Sequence, residues 1–236
     1  LRGEEAHHLY RVRRQQIGDV IEVVDGAGHF FCVRLTEISR SAVVGDIVER
    51  YEERGERGVR LFLAPALLKG QRFDGMIEKA TEVGVAAIWP MWSERGIARN
   101  KSEGKIERWQ RLAREATKQC ARSRCPQITA PEAFERVVAS LLQACDEVFM
   151  GTLSDPLVPL DRAGAEGGVN AVGLLIGPEG GFAPGEIVRA QEMGVRCFSW
   201  GVSTLRADTA SVVLAALLID EYERRTAHGQ GGDHVN

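Results

Sequence analysis

The chain of 236 residues is long enough for one large or two modest domains. Hydrophobic content of 44% and charged content of 27% are those of an ordinary globular protein, and no run approaches the ~18 apolar residues that cross a bilayer. A net charge of −3 argues against a nucleic-acid partner until its distribution is considered: residues 95–124 hold ten basic and three acidic side chains, residues 125–236 seven and fifteen.

The opening LRGEEAHHLY carries no apolar signal core, and the expected location is the cytoplasm. The five cysteines, Cys32, Cys120, Cys125, Cys145 and Cys197, are scattered and odd in number, which fits thiols in a reducing compartment and no metal framework. The first seventy residues read as all-β. VIEVVD, HFFCVRLTEI, AVVGDIVER and RLFLAPAL are short, rich in Val, Ile and Phe, and separated by turn residues. A small barrel over 1–69 is expected. From Lys69 the texture changes. FDGMIEKATEVG has helical spacing and ends at Gly84, a C-cap glycine. VAAIWP reads as a strand. Helices are expected over about 103–122 and 131–143, and EVFMG and AVGLLIG as strands. PGEIVRAQEMG is a helix with proline in its first turn, VRCFSWG a strand, and TASVVLAALLIDEYERR the closing helix. Strands alternating with helices predict an α/β domain over 70–225 with a mainly parallel sheet, followed by a frayed tail at 226–236.

At about 100° per residue, Ile106, Trp109, Leu112, Ala113, Ala116 and Cys120 fall on one face of the 103–122 helix. Arg108, Arg111, Arg114, Lys118 and Arg122 fall opposite, with only Glu115 among them. Such a stripe suits phosphates. Arg11, Arg13 and Arg14 form a second basic patch on the barrel.

GLLIGPEGGFAPGEI, Gly173 to Ile187, is a strand, a tight loop and a helix start. It has no phosphate-loop lysine, no Gly-x-Gly-x-x-Gly and no nucleophile elbow. WGVSTLRADTASVVLAALL follows one βα unit later. Two glycine loops at the carboxyl ends of strands predict one ligand crevice, or else two tight turns with packed glycines.

At these residues the chain resembles the RsmE family, the ribosomal-RNA uridine N3-methyltransferases of the SPOUT class. LLIGPEGGFAPGEI and GVSTLRADTASVVLAALL are similar to the family's paired C-terminal motifs. EEAHHLYRVRRQQIGD is similar to its His-His-Leu opening, and KGQRFDGMIEKATEVGVAAIWPMWSERG to its Lys-Ala-Thr-Glu-Leu-Gly segment and Glu-Arg-Ser loop. ERWQRLAREATKQCARSRCPQI is similar to its Arg-Trp helix. The resemblance implies an N-terminal PUA-like β-barrel and a C-terminal SPOUT α/β domain with a trefoil knot, working as a homodimer without a metal or a membrane. It implies S-adenosylmethionine held around Leu153, Ile176, Gly177, Glu179, Gly180, Gly181, Trp200, Gly201 and Leu205, with glycines admitting adenine and ribose to the backbone. It implies methylation at N3 of a uridine in small-subunit (16S) ribosomal RNA, as naked RNA or in the subunit. Arg72 and Arg95 join Arg11, Arg13, Arg14, Arg108, Arg111, Lys118 and Arg122 as the expected RNA-facing set.

That chemistry needs a group that favours the uridine anion, and Arg206, directly after the donor loop, is the candidate. Glu179, Asp208 and Glu82 are candidate carboxylates, of which Glu179 is preferred, though each could equally brace a loop or cap a helix. Trp200, Ser203, Asp208, Cys120 and Gly96 depart from the family pattern. Two other readings therefore stay open: a SPOUT enzyme acting on another RNA or atom, and a non-catalytic RNA-binding assembly protein.

Overall fold

The computed structural model describes residues 1–11, 15–96, 104–152, 168–200 and 203–229. The chain forms two compact units, one of residues 1–56 with 117–125, the other of 57–116 with 126–236.

The first unit contains β1 (Val20–Val24), β2 (His29–Ile38) and β3 (Val43–Glu52), an antiparallel sheet in that order. It also contains a helix the all-β expectation omits, α1 (Glu4–Arg11). Ala6, fully buried, and Leu9 recur at helical spacing on the face of α1 that meets Ile21, Leu35 and Val43. The fourth strand expected in the barrel, β4 (Arg60–Pro65), belongs elsewhere. Its sequence RLFLAP is buried on both faces, the mark of a central parallel strand rather than of a half-exposed barrel strand. The units accordingly divide at Glu56, ahead of β4, rather than near residue 69.

In the second unit, β4 is followed by α2 (Gln71–Val83), β5 (Ala87–Ile88), β6 (Met91–Trp92), α3 (Lys105–Gln119), β7 (Gln127–Ile128) and β8 (Glu132–Ala133). Then come α4 (Phe134–Ala144), β9 (Glu147–Gly151), β10 (Ala171–Ile176), α5 (Pro184–Glu192), β11 (Arg196–Phe198) and α6 (Ala207–Gly229). The last residues of α3 join the first unit. Gly84 ends α2 in the left-handed region at φ 107°, its N–H bonded to Ala80 and Thr81 carbonyls, as its sequence position requires. Pro184 opens α5 as expected. The six-stranded sheet has the order β11-β9-β10-β4-β5-β7, and every pairing is parallel. Register aligns Ile176 with Gly151, and Gly151 with Phe198. The carboxyl ends of β10, β9 and β11 therefore emerge side by side.

α6 packs against α2, β4 and β10. Past its middle, at Tyr222, it is tied to the start of β9. The Tyr222 hydroxyl donates to Glu147, a carboxylate only 7% exposed that also takes Arg196 Nη1 at 3.4 Å. Burial, and then the Glu147 carboxylate, push the phenol well above its ordinary range. Tyr222→Phe removes the hydroxyl and leaves Glu147 underbonded. The expected cost is about 1–3 kcal/mol, read as a lower urea midpoint at unchanged denaturant slope.

Candidate functional site

Three strand ends and the first turns of α6 enclose a cleft of about 530 Å³, part of it open to solvent. β9 contributes Gly151 and Thr152, β10 Ile176 and Gly177, β11 Phe198, Ser199 and Trp200; Ser203, Leu205, Ala207, Ala210 and Leu214 complete the wall. β9 and β10 enter buried, all three strands emit their chains at this edge, and the Thr152 N–H donates to Phe198 O at 2.9 Å, closing the gap between β9 and β11. A Cβ on Gly151 would sit 3.2 Å from both Ile176 Cδ1 and Leu214 Cδ1, so glycine keeps the floor of the cleft low. The walls are mostly apolar. One exception matters: Ser199 Oγ is buried and has no hydrogen-bond partner among the described residues. A buried hydroxyl left unpaired is costly, so this atom invites a polar group from a ligand. Sequence reading passed over Ser199, because a lone serine before Trp200 carries no motif and its burial is a tertiary property.

The Pro178–Ala183 loop is built by its own chain. Gly181 lies at φ +66°, with its N–H bonded to Pro178 O at 2.8 Å, a conformation that favours glycine. A Cβ on Gly177 would fall 3.0 Å from the Phe182 nitrogen. These glycines therefore answer first to the loop's folding back on itself, the tight, packed turn that the sequence left open beside ligand approach. Glu186, 2% exposed, accepts the Ala183 N–H at 2.8 Å and the Glu94 N–H at 2.9 Å. Arg95 Nη1 donates to Gly180 O at 3.2 Å and Phe182 O at 3.5 Å.

Of the residues expected to hold a donor, Ile176, Gly177, Trp200 and Leu205 line this one cleft. Glu179, Gly180 and Gly181 do not; Leu153 and Gly201 lie outside the described residues. Glu179, the preferred catalytic carboxylate, is instead ion-paired with Arg72 at 3.3 Å, both half-exposed. Arg206 is exposed, makes no ion pair among the described residues, and sits between Leu205 and Ala207 of the wall. Its carbonyl accepts the Ala210 N–H at 2.7 Å, the first turn of α6.

The basic stripe divides. Arg108, Arg111, Arg114 and Lys118 are exposed on α3, opposite buried Trp109, Ala113 and Ala116. Arg108 pairs with Asp74 at 2.7 Å and Lys118 with Glu5. Arg122 does not belong to the stripe. α3 stops at Gln119, and Ala121 enters the left-handed region at φ 57°. The Arg122 N–H returns to Thr117 O and the Ala121 N–H to Lys118 O, a Schellman closure. That turn carries Arg122 off the helical phase and buries it, 3% exposed, against Glu56 at 2.7 Å. Arg11 is exposed; Arg13 and Arg14 lie outside the described residues. Among the described residues no group of His, Cys, Asp and Glu is arranged to hold a metal, and no helix is long and apolar enough to cross a membrane.

A parallel sheet with a glycine-floored cleft at its carboxyl edge is the arrangement of an α/β ligand-binding fold, and comparison with known proteins specifies it. The RNA methyltransferase domain model matches residues 55–219, and the RNA methyltransferase PUA domain model matches residues 1–48. The ribosomal RNA small subunit methyltransferase E of Synechocystis is 32% identical over 214 residues, covering 90% of this chain and 69% of that protein. The enzyme of the same name from Bacillus subtilis is 28% identical, covering 96% and 91%. The crystal structure of ribosomal RNA small subunit methyltransferase E from Neisseria gonorrhoeae bound to S-adenosyl methionine superposes with a TM-score of 0.83 at 25% identity, covering 92% of this chain and 89% of that one. The chain belongs to the ribosomal RNA small subunit methyltransferase E family of RNA methyltransferases.

Proposed function

We propose that this chain transfers a methyl group from S-adenosylmethionine to N3 of a uridine in small-subunit (16S) ribosomal RNA. The observation that carries the reading is the cleft at the carboxyl ends of β9, β10 and β11, with its unpartnered buried Ser199 Oγ, in a chain of this family. The residues present fit the donor. Ile176, Phe198, Leu205 and Leu214 offer apolar contact to a flat purine, Gly151 leaves room for it, and Ser199 Oγ offers a hydrogen bond to its polar edge. When bound, the donor supplies a methyl group already activated on a sulfonium. The homodimer, the closed PUA-like barrel, the trefoil knot and the cytoplasmic location rest on the family relationship and complete the proposal.

The chain's own part is orientation and charge. Uridine N3 carries a proton, and losing it spreads negative charge onto O2 and O4. Arg206, exposed beside the cleft wall and held at the first turn of α6, is the group that favours that anion. Glu179 is a weak choice for the base, since Arg72 already engages it. The exposed guanidiniums of Arg111 and Arg114 supply phosphate contacts. A second reading, methylation of another RNA or atom, is favoured by Trp200 and Ser203, two departures from the family pattern that both line the cleft.

Calorimetry is expected to detect S-adenosylmethionine binding, and mass-spectrometric mapping of ribosomal RNA from cells lacking the protein to show loss of one N3-methyluridine. Absence of donor binding, or loss of a different modification, would reject the first reading. In single-turnover assays Arg206→Ala is expected to bind donor and RNA almost normally and to methylate about a hundred- to a thousandfold more slowly. Arg206→Lys is expected to recover part of the rate, because charge returns without the fork. A rate for Arg206→Ala within about threefold of the parent would leave Arg206 only a bracing role. Replacing Arg111 and Arg114 with Gln is expected to flatten the salt dependence of RNA binding by a log–log slope of about 0.7–0.9 per residue; an unchanged slope would make them a merely solvated face.

A further inference from the structure

Arg95 is an exposed arginine beside a basic stretch, which makes it an obvious hand for phosphate. Its contacts differ from those of Arg111 and Arg114. The turn that carries it is closed by Gly96 N–H donating to Ser93 O at 3.0 Å. The neighbouring Glu94 N–H is fastened at 2.9 Å to Glu186, and the other oxygen of that buried carboxylate takes the Ala183 N–H at the end of the Pro178–Ala183 loop at 2.8 Å. The side chain then lies along the loop: a Cβ built on Gly180 would meet Arg95 Cβ at 3.8 Å and Cδ at 3.9 Å. Nη1 reaches Gly180 O at 3.2 Å and Phe182 O at 3.5 Å. Loop carbonyls lack the partners a helix or sheet would give them, so such a donor supplies real order.

Phe182 is where this contact becomes functional. It is 5% exposed, packs against Phe134 with ring centroids 5.7 Å apart, and crowds Gly177 so closely that a Cβ there would stand 3.0 Å from its nitrogen. Gly177 lines the cleft. A shift of Phe182 would therefore move the cleft wall. We infer that Arg95 is a positioning residue for the Pro178–Ala183 loop, whose Phe182 backs Gly177 of the donor cleft, and not a phosphate contact. The inference rests on the reading of that cleft as the S-adenosylmethionine site.

Two measurements on the full-length protein separate these roles: calorimetric affinity for S-adenosylmethionine without RNA, and the salt dependence of binding to an in vitro transcript of small-subunit ribosomal RNA. Arg95→Ala is expected to bind the donor about five- to tenfold more weakly, with its RNA salt slope equal to the parent's. Arg95→Gln keeps an N–H for a carbonyl but no charge, and is expected to restore donor affinity to within about threefold of the parent. Unchanged donor affinity in Arg95→Ala overturns the inference, as does a salt slope reduced by about 0.7–0.9, the signature of a lost phosphate contact. If the parent itself binds no S-adenosylmethionine, the reading of the cleft falls and this inference with it; a parent that binds beside an Arg95→Ala that binds equally well sinks this inference alone.

Discussion

The site depends on one constraint, the parallel register of β9 between β10 and β11. Because Gly151 pairs with both Ile176 and Phe198, three chains leave the sheet at the same level and on the same edge. A one-residue slip would turn every side chain of β9 to the other face, putting a bulky residue where Gly151 now leaves the floor low. β9 also holds α6 at both ends. Leu214, near the start of that helix, stands 3.2 Å from a Cβ built on Gly151 at the strand's end, while Tyr222 reaches Glu147 at the strand's beginning. A five-residue strand thus sets the distance over which α6 lies along the sheet, and α6 supplies Ala207, Ala210 and Leu214 to the cleft. Fold and cleft are one packing problem.

What could be read from the sequence was local chemistry. Gly84 as a C-cap, Pro184 at a helix start and the helical phase of Trp109, Ala113 and Ala116 each depend on residues within a turn or two. The two glycine stretches were legible as motifs for the same reason; of their described residues, Ile176, Gly177, Trp200, Ser203 and Leu205 line the cleft, while Glu179, Gly180 and Gly181 do not. Non-local pairing left no such trace. β4 reads as an apolar run wherever it lies, and its partner β10 begins at Ala171, which pairs with Arg60. Nothing near residue 60 announces a neighbour so distant in sequence. α1 has only eight residues, too few for its periodicity to outweigh the β-rich stretch that follows.

The remaining differences arise where backbone conformation overrode residue type. Ala121 takes a left-handed conformation that sequence assigns to glycine or asparagine, and that one dihedral removes Arg122 from the stripe. Gly177 and Gly181 are glycines for different reasons, crowding against Phe182 in one case and φ in the other. Neither reason required a ligand. Ser199 is the converse: an ordinary residue type that only burial makes informative.

Charge, too, was legible as a total but not as a set of available hands. The positive stretch in the sequence sorts into arginines with very different freedom. Arg122 is committed to Glu56 with both side chains nearly sealed from water, and separating such a pair strands a buried charge at a cost of about 3–5 kcal/mol. No phosphate reached through solvent competes with that. Arg108 and Asp74 form a pair whose guanidinium is half-exposed. Its partner Asp74 is only 17% exposed, so a turn of Arg108 toward a phosphate would take the guanidinium from a largely buried carboxylate. Arg111, Arg114 and Arg206 are exposed with no ion pair among the described residues, and incur no such exchange cost. Arg108, Arg111 and Arg114 all add to the positive field along α3, but contact is a matter of which can turn outward without leaving a carboxylate unpaired. By that criterion the guanidiniums available to an outside anion are fewer than the arginines the protein's sequence displays.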